Sequence, residues 1–135
     1  GCKEVGLGFG SGSEKILMAM NKKFQPEEVR LTSERLKRYG IRRMGFSLLG
    51  GPGENSRAVG ESLAFADSLD LEALKINMGI RIYPYTDLAR TAIKEGVIEP
   101  DDDLLIPKFY MAPGLDEWLR NTVSIWMDGR PQWLL

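Results

Sequence analysis

Three stretches of this chain have residue types that could serve a ligand: Gly8-Phe9-Gly10-Ser11-Gly12-Ser13, Gly50-Gly51-Pro52-Gly53-Glu54 and Tyr83-Pro84-Tyr85-Thr86. Glycine lets backbone N–H groups approach a bound group closely. A helix that starts just beyond turns the positive end of its dipole toward that group, which suits an anionic or nucleotide-like ligand. The same glycines also serve as plain tight-turn residues. The first run does not match G-x-G-x-x-G, and neither glycine run carries the G-K-[ST] ending of a P-loop, so spacing alone supports a nucleotide-like ligand only weakly. Glu14, three residues after Ser11, reads as half of a capping box. Glu54 reads as a helix cap or a loop clasp.

Whole classes of chemistry drop out on composition. The 135 residues include no histidine, which excludes His-based triads, imidazole zinc sites and imidazole proton shuttles within this chain. The single cysteine, Cys2, excludes an intrachain disulfide framework, a thiolate zinc site and a complete iron–sulfur site from these residues. Eighteen Lys/Arg stand against nineteen Asp/Glu, for a net charge of −1, so no general pull toward nucleic acid or acidic membranes is expected. No run approaches the ~20 apolar residues of a membrane span, and no basic-then-apolar signal opens the chain; the expected setting is cytoplasmic. The acidic run Glu99-Pro100-Asp101-Asp102-Asp103 reads as a solvated connector, and Trp118, Trp126 and Trp133 as core and interface residues. The chain opens on Gly1 and enters a strand almost at once, so it reads as a piece of something longer.

The elements that must position these loops follow from periodicity. Val5, Leu7 and Phe9 alternate with small residues, as in a short strand. Ile16, Leu17 and Met20 give the next segment a helical stripe. Pro26 suits a first helical turn, Val29, Leu36 and Tyr39 fall near one face, and Gly40 is a natural stop. Met44 to Leu49 is a mostly apolar run, read as a strand covered on both faces. Asn55 caps a helix with the stripe Val59, Leu63, Ala66 and Leu69. Residues 74–83 read as a third strand, ended by Pro84. Thr86 caps a helix stopped by Gly96. Leu115, Trp118, Leu119, Thr122, Ile125 and Trp126 mark a last amphipathic helix, ended by Gly129. Strands alternating with helices imply βαβ units, a parallel sheet and an α/β class, with ligands at the C-terminal ends of the strands.

At those strand ends the sequence resembles a known family. Gly8 to Leu17 with Met20-Asn21-Lys22, the helix from Pro26 with Leu36-Lys37-Arg38-Tyr39-Gly40-Ile41, the strand and turn Phe46 to Glu54, and Ile82 to Ala89 with Gly96 resemble, in order, segments of radical S-adenosylmethionine (SAM) enzymes. Pro107-Lys108-Phe109-Tyr110 resembles a stretch of the cobalamin-associated, Fe–S oxidoreductase branch. The likeness covers about the first 110 residues. It implies a TIM-like partial (β/α)6 barrel, of which residues 1–98 would be the C-terminal half, a parallel (β/α) half-barrel, with residues 99–135 an acidic connector and helical extension. Such enzymes cleave SAM reductively with a [4Fe–4S] cluster, and the cofactor carries the hard chemistry. Carried over by position, Gly10 and Ser11 would approach the ribose and methionine part of SAM. Ser47, Leu49, Gly51 and Glu54 fall on the adenine-facing G-x-I-x-G-x-x-E element, and Tyr83 and Pro84 on the last strand's adenine edge.

The departures are specific. Gly10 stands where the family usually has Glu, Ser47 where it has Gly, and Tyr85 where it has a small residue. The C-x-x-x-C-x-x-C cluster motif is absent and belongs to the family's other half-barrel. The resemblance therefore implies a fragment inactive by itself, whose partners are the missing N-terminal half and SAM; cobalamin is left open. Exposed sheet edges would also favour self-association of the isolated chain. Two other readings stand beside this one. The first is a non-catalytic α/β binding or assembly module. The second is a small SAM- or nucleotide-binding transferase of doubly wound topology, which strand order would distinguish.

Overall fold

A computed structural model describes residues Gly1–Leu135. Strand β1 (Glu4–Gly10) leads through α1 (Glu14–Ala19) and α2 (Pro26–Arg38) to β2 (Arg42–Leu49). Helix α3 (Ser56–Ser68) then leads to β3 (Ala73–Met78) and β4 (Ile80–Arg81), followed by α4 (Asp87–Lys94), β5 (Phe109–Tyr110), α5 (Asp116–Met127) and β6 (Trp133–Leu134). The main sheet is parallel throughout, in the order β1-β2-β3-β6, and β4 pairs antiparallel with β5. The three long strands thus lie side by side in chain order, as in a partial barrel or in one half of a Rossmann-like sheet.

The two faces of the sheet differ. Phe9, Arg43, Gly45, Ser47, Leu49, Leu74 and Ile76 are buried beneath α2 and α3, where the Phe9 ring meets the Phe65 ring edge-on at 5.6 Å and Arg43 reaches Ser33. On the opposite face Gly6 and Gly8 are exposed, Phe46 is 37% exposed, and Met44, Leu48, Lys75 and Asn77 are half-buried. The apolar run of β2 is therefore covered on one face only.

Local chemistry explains most boundaries. Asn55 accepts from the Ala58 N–H at 3.0 Å and Thr86 from the Ala89 N–H at 3.1 Å, so both expected caps are present. The cap expected of Ser11 and Glu14 is not formed: Ser13 is the N-cap of α1, without a side-chain bond. The capping box lies instead at α2, between Gln25 and Glu28. Tyr39 follows the last turn of α2 and is 81% exposed, so it leaves the stripe that spacing gave it.

The third strand is not continuous. Gly79 adopts φ +83°, a left-handed conformation that costs other residues steric strain, and the chain turns there out of the main sheet toward β5. The C-terminal segment is also more than a helix. Trp133 and Leu134 add a fourth parallel strand beside Leu74 and Lys75. Leu115, Leu119, Val123 and Trp133 join the same hydrophobic core as Phe9 and Leu49. Two-residue strands are too short to carry a period, which is why alternation did not reveal them.

Candidate functional site

The C-terminal ends of β1 and β2 are locked together. Between Leu7 and Gly10 the register slips by one residue, a β-bulge, and Gly10 comes opposite Ser47 with φ +76°. Bulges re-aim a strand end and recur at the rims of sites. The buried Ser47 hydroxyl donates to the Gly10 carbonyl at 2.9 Å and fixes the bulge.

Beyond it, Ser11 is fully buried, and its hydroxyl lies 2.8 Å from that of Ser62 on α3. The Ser62 oxygen accepts from the Gly12 N–H at 3.1 Å, and the Ser11 oxygen accepts from the Ser13 N–H at 3.1 Å. Gly12 is required by proximity, since a Cβ there would sit 2.5 Å from the Phe65 Cβ. The first glycine run is thus pinned onto α3, with Ser11 and Ser13 both buried residues.

The second run is folded around Glu54. One carboxylate oxygen accepts from the Gly50 N–H at 2.6 Å and from the Gly51 N–H at 3.0 Å, so Glu54 is the loop clasp, while Asn55 is the cap. The other oxygen, Oε1, is buried without a partner. Burial raises the Glu54 pKa above its ordinary value, and the two amide bonds offset this only in part. Leu49, fully buried, accepts from the Gly79 N–H at 2.8 Å through its carbonyl, and the Gly50 carbonyl accepts from the Ala112 N–H at 2.8 Å.

Gly10, Ser11, Ser47, Leu49, Gly51 and Glu54 therefore lie on the two adjoining strand ends. Tyr83 and Pro84 share no hydrogen bond with them. Tyr83 is 53% exposed, with the Arg81 guanidinium 4.9 Å from its ring centre, and its carbonyl accepts from the Thr86 hydroxyl. Pro84 lines a separate surface cleft of about 510 Å³ with Arg90 and Asp101 to Asp103.

A second cleft, about 440 Å³, opens beside the first group, between the end of α1 and α4. Met20, Leu48, Pro52, Ile80 and Leu88 give it apolar walls, and Asn21, Lys22, Thr86, Asp87 and Thr91 are polar. Ser62 and Ala112 position the site but carry no sequence motif. The one available signal for Ser62 is a polar residue three positions after Val59, inside an otherwise apolar stripe.

Geometry and topology together define a parallel α/β unit with glycine-rich strand ends held in unusual backbone conformations. Its structural neighbours are structures of a cobalamin-binding radical SAM methyltransferase, TsrM from Kitasatospora setae. The structure with cobalamin and a [4Fe–4S] cluster bound matches all of this chain with a TM-score of 0.79 at 16% identity, over 34% of the TsrM chain. The structure with tryptophan substrate and the SAM analogue aza-SAM matches 93% of this chain with a TM-score of 0.74 at 18% identity, over 31% of the TsrM chain. The chain thus spans about a third of its neighbour's length. At this identity the likeness is one of fold, and it meets the family resemblance read from the loop motifs. No family model and no curated protein matches the sequence.

Proposed function

We propose that this chain is the C-terminal half of a radical SAM-type partial (β/α) barrel, residues 1–98 supplying barrel strands and helices and residues 99–135 an extension. Its role is to present the ends of β1 and β2 to SAM. The observation that carries the reading is the fold match of this whole chain to 34% of a radical SAM methyltransferase. Three further features support it: strands in chain order, helices α2 and α3 on one face, and two glycine-rich loops at the C-terminal ends. In this reading Gly10 and Ser11 meet the ribose and methionine part of SAM through backbone. The strand around Ser47, Leu49 and Gly51 lies along the adenine, with Glu54 holding the loop, and Tyr83 and Pro84 form an outer adenine edge.

The [4Fe–4S] cluster does not fit this chain. Cys2 is exposed and is the one cysteine, and no three His, Cys, Asp or Glu side chains are grouped to hold a metal. In this reading the cluster, and cobalamin as in the neighbour, belong to the rest of the protein, which is also the chain's principal partner. The neighbour is a methyltransferase, so methyl transfer joins oxidation–reduction as a reaction class for the whole. No helix of this chain is long and apolar enough to cross a membrane.

Calorimetric titration of the 135-residue chain with SAM tests the reading. Saturable one-site binding, weakened by Gly51→Val, is expected, with no 5′-deoxyadenosine formed under dithionite. Robust 5′-deoxyadenosine formation would overturn the fragment reading, and no binding would overturn the SAM site. The inward serines at 11, 47 and 62 favour a second reading, a purely structural module, which predicts no binding.

A further inference from the structure

The backbone at Gly10 and Gly51 is not bare. Met20, at the end of α1, reaches across both: a Cβ at Gly10 would lie 3.4 Å from its sulfur, and one at Gly51 would lie 3.5 Å from its methyl carbon. Ile80 closes the other side of Gly51, at 3.0 Å from that same position. Lys22 Cε lies 3.8 Å from the Gly10 position, so Met20 is the one side chain that approaches both glycines, with Lys22 and Ile80 each beside one of them. The Met20 side chain is also a wall of the 440 Å³ cleft.

Met20 is suited to moving. It is half-buried and caps a six-residue helix whose buried anchors are Ile16 and Leu17 alone. The next residue, Asn21, has φ +56°, a left-handed conformation that a non-glycine residue adopts at some cost. An unbranched thioether has three soft torsions and can refold into a new space without a large penalty. The apolar part of the cleft, lined by Leu48, Pro52 and Leu88, is a place for it to go.

We propose that Met20 is a displaceable cover over the Gly10 and Gly51 backbone, and that a nucleoside-type ligand reaches these strand ends only as the methionine swings off them. This rests on the SAM reading above and adds an access step to it. A population of covered molecules lowers apparent affinity by the fraction that is open, so removing the cover raises it.

The test is titration of wild type, Met20→Ala and Met20→Leu with SAM. We expect Met20→Ala to bind about fivefold more tightly than wild type. Met20→Leu, which keeps the bulk but loses a torsion, should bind no more tightly than wild type. In protein labelled with ¹³C at the methionine methyl groups, the Met20 signal, assigned by its loss in Met20→Ala, should leave its unliganded position as SAM saturates. Equal or weaker binding by Met20→Ala, or an unmoved methyl signal in saturated wild type, overturns the cover and leaves the SAM site standing. Failure of both wild type and Met20→Ala to bind overturns the SAM reading, and the cover with it. Binding by Met20→Ala alone supports both.

Discussion

Arg43 and Glu72 form a forked ion pair at the N-terminal end of the sheet. The Arg43 Nε–H donates to one Glu72 oxygen at 3.1 Å and the Nη2–H to the other at 2.7 Å, and the Arg43 backbone N–H adds a third bond at 2.6 Å. The remaining donors go to the Ser33 hydroxyl and the carbonyls of Leu69 and Asp70. A guanidinium that is 1% exposed is tolerable because its donors are met in this way. One side chain thereby ties β2 to α2 and to the loop between α3 and β3, at the end of the sheet opposite the candidate site.

Replacing Arg43 with Met should cost about 1–3 kcal/mol, since it leaves the Ser33 hydroxyl and the Leu69 and Asp70 carbonyls without their donor while the exposed Glu72 returns to water. Glu72→Gln should cost less, because the carboxamide keeps one acceptor. Urea unfolding at neutral pH measures both.

The same pair sets an acid limit. The Arg43 hydrogen bond holds the Glu72 pKa down, from 4.5 to about 2. A depressed carboxylate adds stability that is fully present above the unfolded value and is lost as pH falls toward the folded one. Unfolding midpoints should therefore drop between about pH 5 and pH 2, with the drop reduced in Glu72→Gln.

Glu54 acts with the opposite sign. Its raised pKa means that the folded state holds the proton more tightly than the unfolded state. Its contribution is therefore greatest at low pH and declines as pH rises through 4.5 toward the folded value. Glu54→Gln, which keeps a carbonyl for the Gly50 and Gly51 amides, should remove that slope. Glu54→Ala should cost about 1–3 kcal/mol at pH 7 by leaving the two amides unpaired. Chemical unfolding at pH 4 and pH 7 separates the two variants.

Ser62→Ala should cost about 1–2 kcal/mol, because the Ser11 hydroxyl and the Gly12 N–H both lose their partner. Faster amide hydrogen exchange confined to residues 11–13 would mark the effect as local. An unchanged rate there would count against the network.

Trp133 stacks on Trp126 with ring centres 6.0 Å apart, and Arg130 lies over both rings while pairing with Asp67 of α3. Trp133→Ala should cost about 3 kcal/mol and free the edge of β3. Light scattering should then show association at concentrations where wild type shows less.

The helical caps at Asn55 and Thr86, the stripe of α3 and the glycine turns were legible because each is local: a side chain meets a backbone group three residues away, or a face repeats every 3.6 residues. What the sequence hid is nonlocal. Ser11 looked like a cap for Glu14 because the competing partner, Ser62, lies 51 positions away. Arg43 immediately precedes an apolar run and carries no local signal, and only the fold brings Glu72, Ser33 and Leu69 around it. Met20 had the spacing of a core residue, whereas it is half-buried and lies beside Gly10 and Gly51. The family resemblance pointed to these loops, but it could not show that Ser11 and Ser47 are buried within them.

The two faces of the sheet have separate fates under mutation. Arg43, Ser47, Leu49 and Ile76 hold the buried side, and change there is paid in stability. Gly6, Gly8, Phe46 and Asn77, on the other side, carry little of that load. Lineages of this protein can therefore alter what meets the open face while the scaffold persists, so novelty should accumulate at alternate positions along the same three strands.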